Sequence, residues 1–558
     1  MQKNHILIMA AVASATLLTS CSKLGALSAD NFNVVPNPLE TQAGQVPATI
    51  NGMFPEKYMK KKAVVTVTPE LRYAGGQVAK GNSSTFQGEK VKGNDQTISY
   101  LVGGRYTMKS NFQYVDDMHQ SDLYLTFDAR IGKKKVKVPE VKVATGVIAT
   151  SELYKRTLKS TQAALALDSF QRVKTQKQEA SIKFLIGQAQ LRQSELKNNS
   201  VQEFVRLLND IAKNQEQLML SNVEVSAYAS PDGGYNINEC LAAKREDVTN
   251  KYVEQQMKQS KNDAPIDTKY TAEDWEGFQQ LVASSNIQDK DVILRVLSMY
   301  KDPEEREQQI RNISIAFREL ADGILPQLRR ARMIINYETI GRDDEQILQQ
   351  YKEDSSKLSL EELLYGATLY DTADEQIAAY KTTARLYPND ARAYNNIATL
   401  EYAKGNYGAA KEYTQKALAV SKLPETQANL GLLALQAGNL NEAEDYIGKA
   451  AGANGLAEIL GNLHLAQGKY ALAEQDFKQN YTNSAALAQI MNKNYAAAAT
   501  TLKYIQNGDA TTDYLRAILN ARQGKNSEAA ESLKAAIAKD ASFRQYASQD
   551  IELKNVSK

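Results

Sequence analysis

The 558-residue chain offers few side chains suited to acid–base or metal chemistry. His5 lies in an apolar leader, and the other two histidines, His119 and His464, fall in separate stretches of sequence. No His-x-x-x-His pair is available to hold a metal, and no base stands at a telling distance from a nucleophile. No glycine-rich phosphate loop ending in lysine occurs. Two cysteines, Cys21 and Cys240, allow at most one disulfide and no cysteine-rich zinc site. Carboxylates are plentiful, but spacing poises none of them. The expectation is a protein that is not an enzyme and that needs neither cofactor nor metal.

Two positions carry other chemistry. Lys3 is followed by the apolar, uncharged run Ile6–Leu18, and Leu18-Thr19-Ser20 precedes Cys21. The run is too short for a permanent span of about 20 apolar residues and reads as a signal peptide, residues 1–20, that is cut away. Leu-Thr-Ser-Cys resembles the lipobox of bacterial lipoproteins, which implies lipidation of the Cys21 thiol. Several acyl chains anchor stably where one binds only marginally. Cys240 is then left without a partner. Ser22-Lys23-Leu24-Gly25-Ala26 carries no acidic run of the kind that resembles the surface-export tag of some lipoproteins, so the lipobox resemblance implies an outer-membrane location, lipid-anchored and facing the periplasm. Residues 21–32, continuing in Asn- and Pro-rich sequence to about Pro38, read as a tether.

The second position is Arg245. A guanidinium fork pairs with both oxygens of a carboxylate, and a zwitterionic ligand also needs an acceptor for its ammonium. The stretch from Tyr228-Ala229-Ser230-Pro231-Asp232-Gly233-Gly234 to Lys244-Arg245 resembles the signature of OmpA-like peptidoglycan-binding domains. Gly233, Asn238, Leu241, Lys244 and Arg245 fall at the positions of that pattern. Leu328-Arg329-Arg330-Ala331-Arg332-Met333-Ile334-Ile335 resembles the arginine pair that leads into the last strand of the domain. The resemblance implies a wall-binding pocket around Arg245, Ser230, Asp232 and Asn238, taking a diaminopimelate-type stem. The chain departs from it in carrying Ser230 where the family has an aspartate, with Asp232 two residues on. Read as residues alone, Gly233 and Gly234 equally serve a turn and Asn238 a helix cap, and Arg245 equally pairs with Glu246 or Asp247 on the surface.

The elements that must position these groups make a multidomain chain, because a length of 558 at about 150 residues per domain implies three or four domains. Lys+Arg 67 against Asp+Glu 65 leaves no field to draw the chain onto nucleic acid. A hydrophobic content of 43% and a charged content of 24% suit folding in water. Period-two alternation in Ala63–Thr68, Leu123–Phe127 and Val136–Val143, cut by glycine-rich turns, predicts an N-terminal all-β sandwich over 33–175, of roughly immunoglobulin-like size. Two lysine strips, Lys57–Lys62 and Lys133–Lys137, could meet an anionic wall polymer or lipid headgroups, or could only solvate strands and guard sheet edges. Strands near 181–185 and 223–227 alternate with helices near 201–212 and 239–255. They predict a central α+β OmpA-like domain over 176–340, with a helical insertion at about 262–326 packed on Trp275. An acidic linker follows over 341–356.

Over 357–545 the chain repeats. Gly405, Gly438 and Gly468 stand 33 and 30 residues apart, followed by Ala410, Ala443 and Ala473. The pattern resembles tetratricopeptide (TPR) repeats, with a degenerate unit over Leu363–Pro388 and divergent ones near Tyr495–Leu502 and Gly524–Ala536, and predicts an all-α solenoid. The resemblance implies a concave groove lined by Asn395, Thr399, Tyr402, Leu432, Leu435, Asn462 and Leu465. Amide and aliphatic groups without clustered lysines suit an extended peptide or a partner helix. Together these features predict a non-catalytic protein-assembly scaffold of the cell envelope, bound to protein partners through the groove and to the outer membrane through its lipid, with a peptidoglycan contact implied by the OmpA-like resemblance. The alternative is a mechanical tether linking the outer membrane to peptidoglycan.

Overall fold

The computed structural model describes residues 23–287, 290–312, 318–478 and 480–556. The signal peptide and Cys21 lie outside them. Among the described residues, no helix is long and apolar enough to cross a membrane. The chain forms two compact units, with Ser169–Leu369 inserted as one stretch into a unit made of the residues up to Asp168 and from Tyr370 onward.

The N-terminal part of the first unit is built of two sheets. Phe32–Val35, Gln45–Phe54 and Gly104–Gln113 make a three-stranded antiparallel sheet. The second sheet has seven strands, and its centre pairs Ala63–Tyr73 antiparallel with Ser121–Ile131. Alternation dictates the packing: Val65, Val67 and Leu71 point inward and are buried, whereas Thr66 and Thr68 lie on the other face. Val46, Ile50 and Met108 of the small sheet share one apolar core with Val65, Leu123 and Leu125 of the large one.

Both edges of this region differ from expectation. Its strands end at Gly146, well before residue 175. The tether is not free either, because Leu24 and Leu27 are buried in the same core and the Tyr58 hydroxyl donates to the Gly25 carbonyl at 3.1 Å. Two leucines three residues apart gain more from burial than the surrounding polar composition suggests. Residues 150–160 form short helical turns and lead into an extended stretch to Asp168. Leu153, Tyr154, Leu158 and Ala164 of this segment belong to the core of the repeat array.

The array consists of five antiparallel helix pairs. They are Ala391–Ala403 with Tyr407–Val420, Pro424–Gln436 with Leu440–Gly448, Leu456–Ala466 with Tyr470–Asp476, Asn483–Met491 with Tyr495–Tyr504, and Ala510–Arg522 with Asn526–Lys539. Each pair turns on one residue in the left-handed region: Gly405, Gly438, Gly468, Lys493 and Gly524. Glycine takes that conformation without steric cost, and Lys493 is the exception. Five residues after each turn a buried alanine lets the helices approach: Ala410, Ala443, Ala473, Ala498 and Ala529. A side chain at Gly461 would come within 2.8 Å of the Phe477 ring. The helix Ala373–Leu386 packs ahead of the first pair. Burial of Ala547, Leu553 and Val556 carries the core beyond residue 545.

The inserted unit contains a four-stranded sheet in the order Val173–Lys183, Arg330–Ile340, Leu218–Tyr228, Ile266–Thr271. The last two strands are parallel and the other neighbours antiparallel. Helices Asn199–Lys213 and Tyr235–Ser260 cover it, with Phe204, Leu208 and Val253 packed on Ile182, Val225 and Met333. Ile266–Thr271 lies within the stretch read as a helical insertion. As an edge strand it is mostly exposed and so lacks an alternating apolar signal. The helices Trp275–Ser284, Lys290–Met299 and Pro303–Asn312 follow, and residues of the first two join Leu320 and Leu328 in a small core of their own. Trp275 packs at its margin, 5.6 Å from Phe278. The expected linker over 341–356 is instead largely the helix Asp344–Asp354, closed by an Asp343–Gln346 capping box and buried through Ile347. Asp343, Asp344 and Glu345 stand at its N-terminus, where negative charge is favoured, and mark a helix start rather than an unstructured segment.

Candidate functional site

The first helices of successive pairs present a row of buried amides to the extended stretch Thr161–Asp168. Asn429 takes both backbone groups of Ala164: its Oδ1 accepts from the amide at 2.7 Å and its Nδ2 donates to the carbonyl at 2.8 Å. Asn396 repeats this at Ala166, at 2.9 and 3.0 Å. Asn395 and Thr399 also donate to the Ala164 carbonyl, at 2.9 and 3.2 Å. Toward the ends, Tyr402 donates to Leu158 O at 3.1 Å, Asn462 to Thr161 Oγ1 at 3.1 Å and Arg392 to Asp168 O at 2.9 Å.

The two residues gripped, Ala164 and Ala166, are separated by the two-residue period of a strand and are buried. A buried amide left unpaired costs about 1–3 kcal/mol, so this row is stable only with a backbone lying along it. Burial also pushes the Tyr402 hydroxyl and the Glu458 carboxyl above their ordinary values. The groove is therefore an acceptor for main chain with small side chains, and the main chain in it is the protein's own.

Of the groove residues expected from sequence, Asn395, Thr399 and Asn462 touch the stretch Thr161–Asp168, and Tyr402 touches the helical turn just before it. Leu432, Leu435 and Leu465 are buried in the apolar core of the array and line it from within. Asn396, Asn429 and Arg392 were missed. Asn429 follows Asn395 by 34 residues and bonds to it at 3.1 Å, so the repeat period marked its position.

The other expected site lies in the inserted unit and is closed by its own pairings. Arg245 is 1% exposed, and its guanidinium donates to the carbonyls of Tyr228 at 2.9 Å, Gln188 at 3.0 Å and Leu185 at 3.3 Å. Its face lies 5.2 Å from the centre of the Phe184 ring. Burial, with the Arg329 charge adding to it, brings Arg245 down to about 10. Asp232 accepts from Arg329 at 2.7 Å and from the Ser230 hydroxyl at 2.5 Å. Asn238 donates to Gly233 O at 2.7 Å and closes the turn. Asp274, raised by burial, accepts from Arg330 at 3.0 Å and caps its helix through the amide of Gly277 at 2.8 Å. Arg245 pairs with neither Glu246 nor Asp247. It holds loops together instead of facing a ligand.

Cys240 is exposed and unpaired by any disulfide. His464 pairs with Asp476 at 2.5 Å, and His119 is buried between the rings of Tyr114 and Tyr546. Among the described residues, no group of His, Cys, Asp or Glu is arranged to hold a metal.

No family model and no curated protein matches the chain. Solved structures similar to parts of it include a tetratricopeptide repeat protein of Parabacteroides merdae (16% identical, covering 44% of this chain and 98% of that one, TM-score 0.29). Others are pilF of Pseudomonas aeruginosa (15%, covering 37% and 100%, TM-score 0.28) and yeast Tom70 (11%, covering 64% and 78%, TM-score 0.25). These likenesses are too low to carry an argument, and the helix pairs, their left-handed turns and the amide row stand on their own geometry.

Proposed function

We propose that the protein is a non-catalytic scaffold of the bacterial envelope, held to the outer membrane by an acylated Cys21 and facing the periplasm, whose repeat array works by gripping extended polypeptide. The supporting observation is the amide row of Asn395, Asn396 and Asn429, which engages backbone groups and is indifferent to side-chain identity beyond size. The array uses this grip in cis, on Thr161–Asp168. A partner protein enters by offering an extended segment with small residues at alternate positions in exchange. A photo-cross-linker placed at residue 429 in living cells tests this. Capture of residues 161–168 is expected in the resting protein, with a second protein recovered when Ala164→Asp keeps the segment out. Recovery of no protein in either form would remove the scaffold reading.

A wall contact through the Tyr228–Arg245 stretch, making the protein a tether between membrane and peptidoglycan, is the second reading. Its support is the strand–turn–helix order that carries the signature, with Ser230, Asp232 and Arg329 clustered at the turn. With Arg245 held by three carbonyls, the cation for a diaminopimelate-type stem would be Arg329. Co-sedimentation of the soluble body with sacculi, lost in Arg329→Ala, is the expected outcome of that reading, and absence of binding by the unaltered body would remove it.

A further inference from the structure

Three features of the β region converge on one end of it. The two lysine strips, far apart in sequence, are neighbours there: the amide of Gly132 donates to Lys62 O at 2.9 Å, and Ala63 pairs with Ile131 beside the hairpin that carries Lys133–Lys135. Lys90 joins them, its amide donating to Lys61 O at 2.7 Å.

The second feature is the turn from Ser99 to Gly103, fixed by the Lys57 amide on Tyr100 O at 2.6 Å and by Lys60 Nζ 5.0 Å from the Tyr100 ring centre. At its tip Leu101 and Val102 are 67% and 81% exposed. Acidic groups beside the turn and the lysines are engaged: Glu89 accepts from Ser99 and Tyr100, Glu56 lies 3.7 Å from Lys57, and Asp128 lies 3.1 Å from Lys135.

The third is the segment ahead of the first strand: its Gly25 carbonyl accepts from the hydroxyl of Tyr58, next to Lys57, at 3.1 Å.

Lysines that only guard a sheet edge have no need of two adjacent apolar side chains presented to water on a rigid turn. Basic groups ringing an exposed apolar tip are the combination that an anionic bilayer surface binds. We propose that this end is a membrane-contact face: Leu101 and Val102 enter the headgroup–acyl boundary while Lys57, Lys60–Lys62 and Lys90 meet anionic headgroups. None of the three features depends on the acylation of Cys21.

The test uses the chain from Ser22 onward, which carries no acyl group and keeps every described residue, with vesicles of phosphatidylcholine alone or mixed with phosphatidylglycerol. Binding is expected to the mixed vesicles only and to weaken with salt. A tryptophan introduced as Val102→Trp should shift its emission to the blue on binding. Neutralising Lys60, Lys61 and Lys62 to glutamine should weaken binding by roughly fivefold per lysine. Leu101→Ser with Val102→Ser, at exposed positions, should weaken it about tenfold with the thermal melt unchanged. No binding to mixed vesicles, an unmoved tryptophan emission, or sedimentation with sacculi in place of vesicles would overturn the proposal. The anchor is judged separately by the mass of the mature N-terminus: an unmodified Cys21 with intact vesicle binding removes the anchor and leaves this face. An acylated Cys21 without vesicle binding does the reverse.

Discussion

The amides of the repeat groove and the guanidinium of Arg245 both bind main-chain groups of their own protein, but the two arrangements differ in kind. Asn429 exchanges two hydrogen bonds with a residue 265 positions away, in a stretch that belongs to no sheet. Arg245 only donates, to three carbonyls 17 to 60 positions away, and lies inside its domain. An amide that both gives and takes treats every peptide backbone alike, so another segment of chain can replace what it holds. A buried arginine tying a strand end at Tyr228 to the loop carbonyls of Leu185 and Gln188 is part of the domain's stability.

The most damaging way to probe this contrast is Arg245→Ala. Three carbonyls lose their donor and a large buried side chain disappears, so urea unfolding of the inserted unit should register a loss of about 3 kcal/mol or more. Arg245→Lys should not restore it, because one ammonium cannot serve all three carbonyls. A loss under about 0.5 kcal/mol would mean that Arg245 is a free surface cation after all.

Asp550 measures what internal pairing fails to offset. Its carboxylate accepts from the Tyr514 hydroxyl at 2.6 Å, yet burial outweighs that bond and raises it from 3.8 to about 6. The folded state thus binds this proton more tightly than the unfolded state. The contribution is fully present below about pH 4 and lost as pH rises through 6, and it amounts to about 2–3 kcal/mol. The difference in melting between the unaltered protein and Asp550→Asn across pH 4–7 isolates it; a difference independent of pH would refute the assignment.

Asn429→Ala should cost about 2 kcal/mol and act locally. Hydrogen exchange at the Ala164 amide should quicken by roughly 30-fold while the strands of the β region keep their protection. Uniform loss across the unit would place the groove contact on the same footing as Arg245. The smallest effect is expected at Lys493→Gly, which relieves a left-handed lysine and should stabilise the array by roughly 1 kcal/mol in thermal melting.

The same lysine explains why the fourth pair looks divergent in sequence: the glycine that announces the other turns is missing there, while the alanine five residues later, Ala498, keeps its place. Strand alternation in Ala63–Tyr73 and the order of strands and helices around Tyr228 were legible because each depends on residues close in sequence. The edge strand Ile266–Thr271 was not, since its exposed residues carry no alternation. Nor was the helix Asp344–Asp354, whose acidic cap reads as solvent exposure until Ile347 is seen to be buried.

The array's helices, its glycine turns and the places of Asn395 and Asn462 follow from local propensity and the repeat spacing, which a linear reading resolves. That Thr161–Asp168 fills the groove, that Arg245 clamps Leu185, Gln188 and Tyr228, and that Leu24 and Leu27 seal the β core were decided only on folding. Those contacts join residues far apart along the chain, where a buried polar group takes whichever partner the packed fold brings within reach, and neither member of the pair carries a local mark of the other.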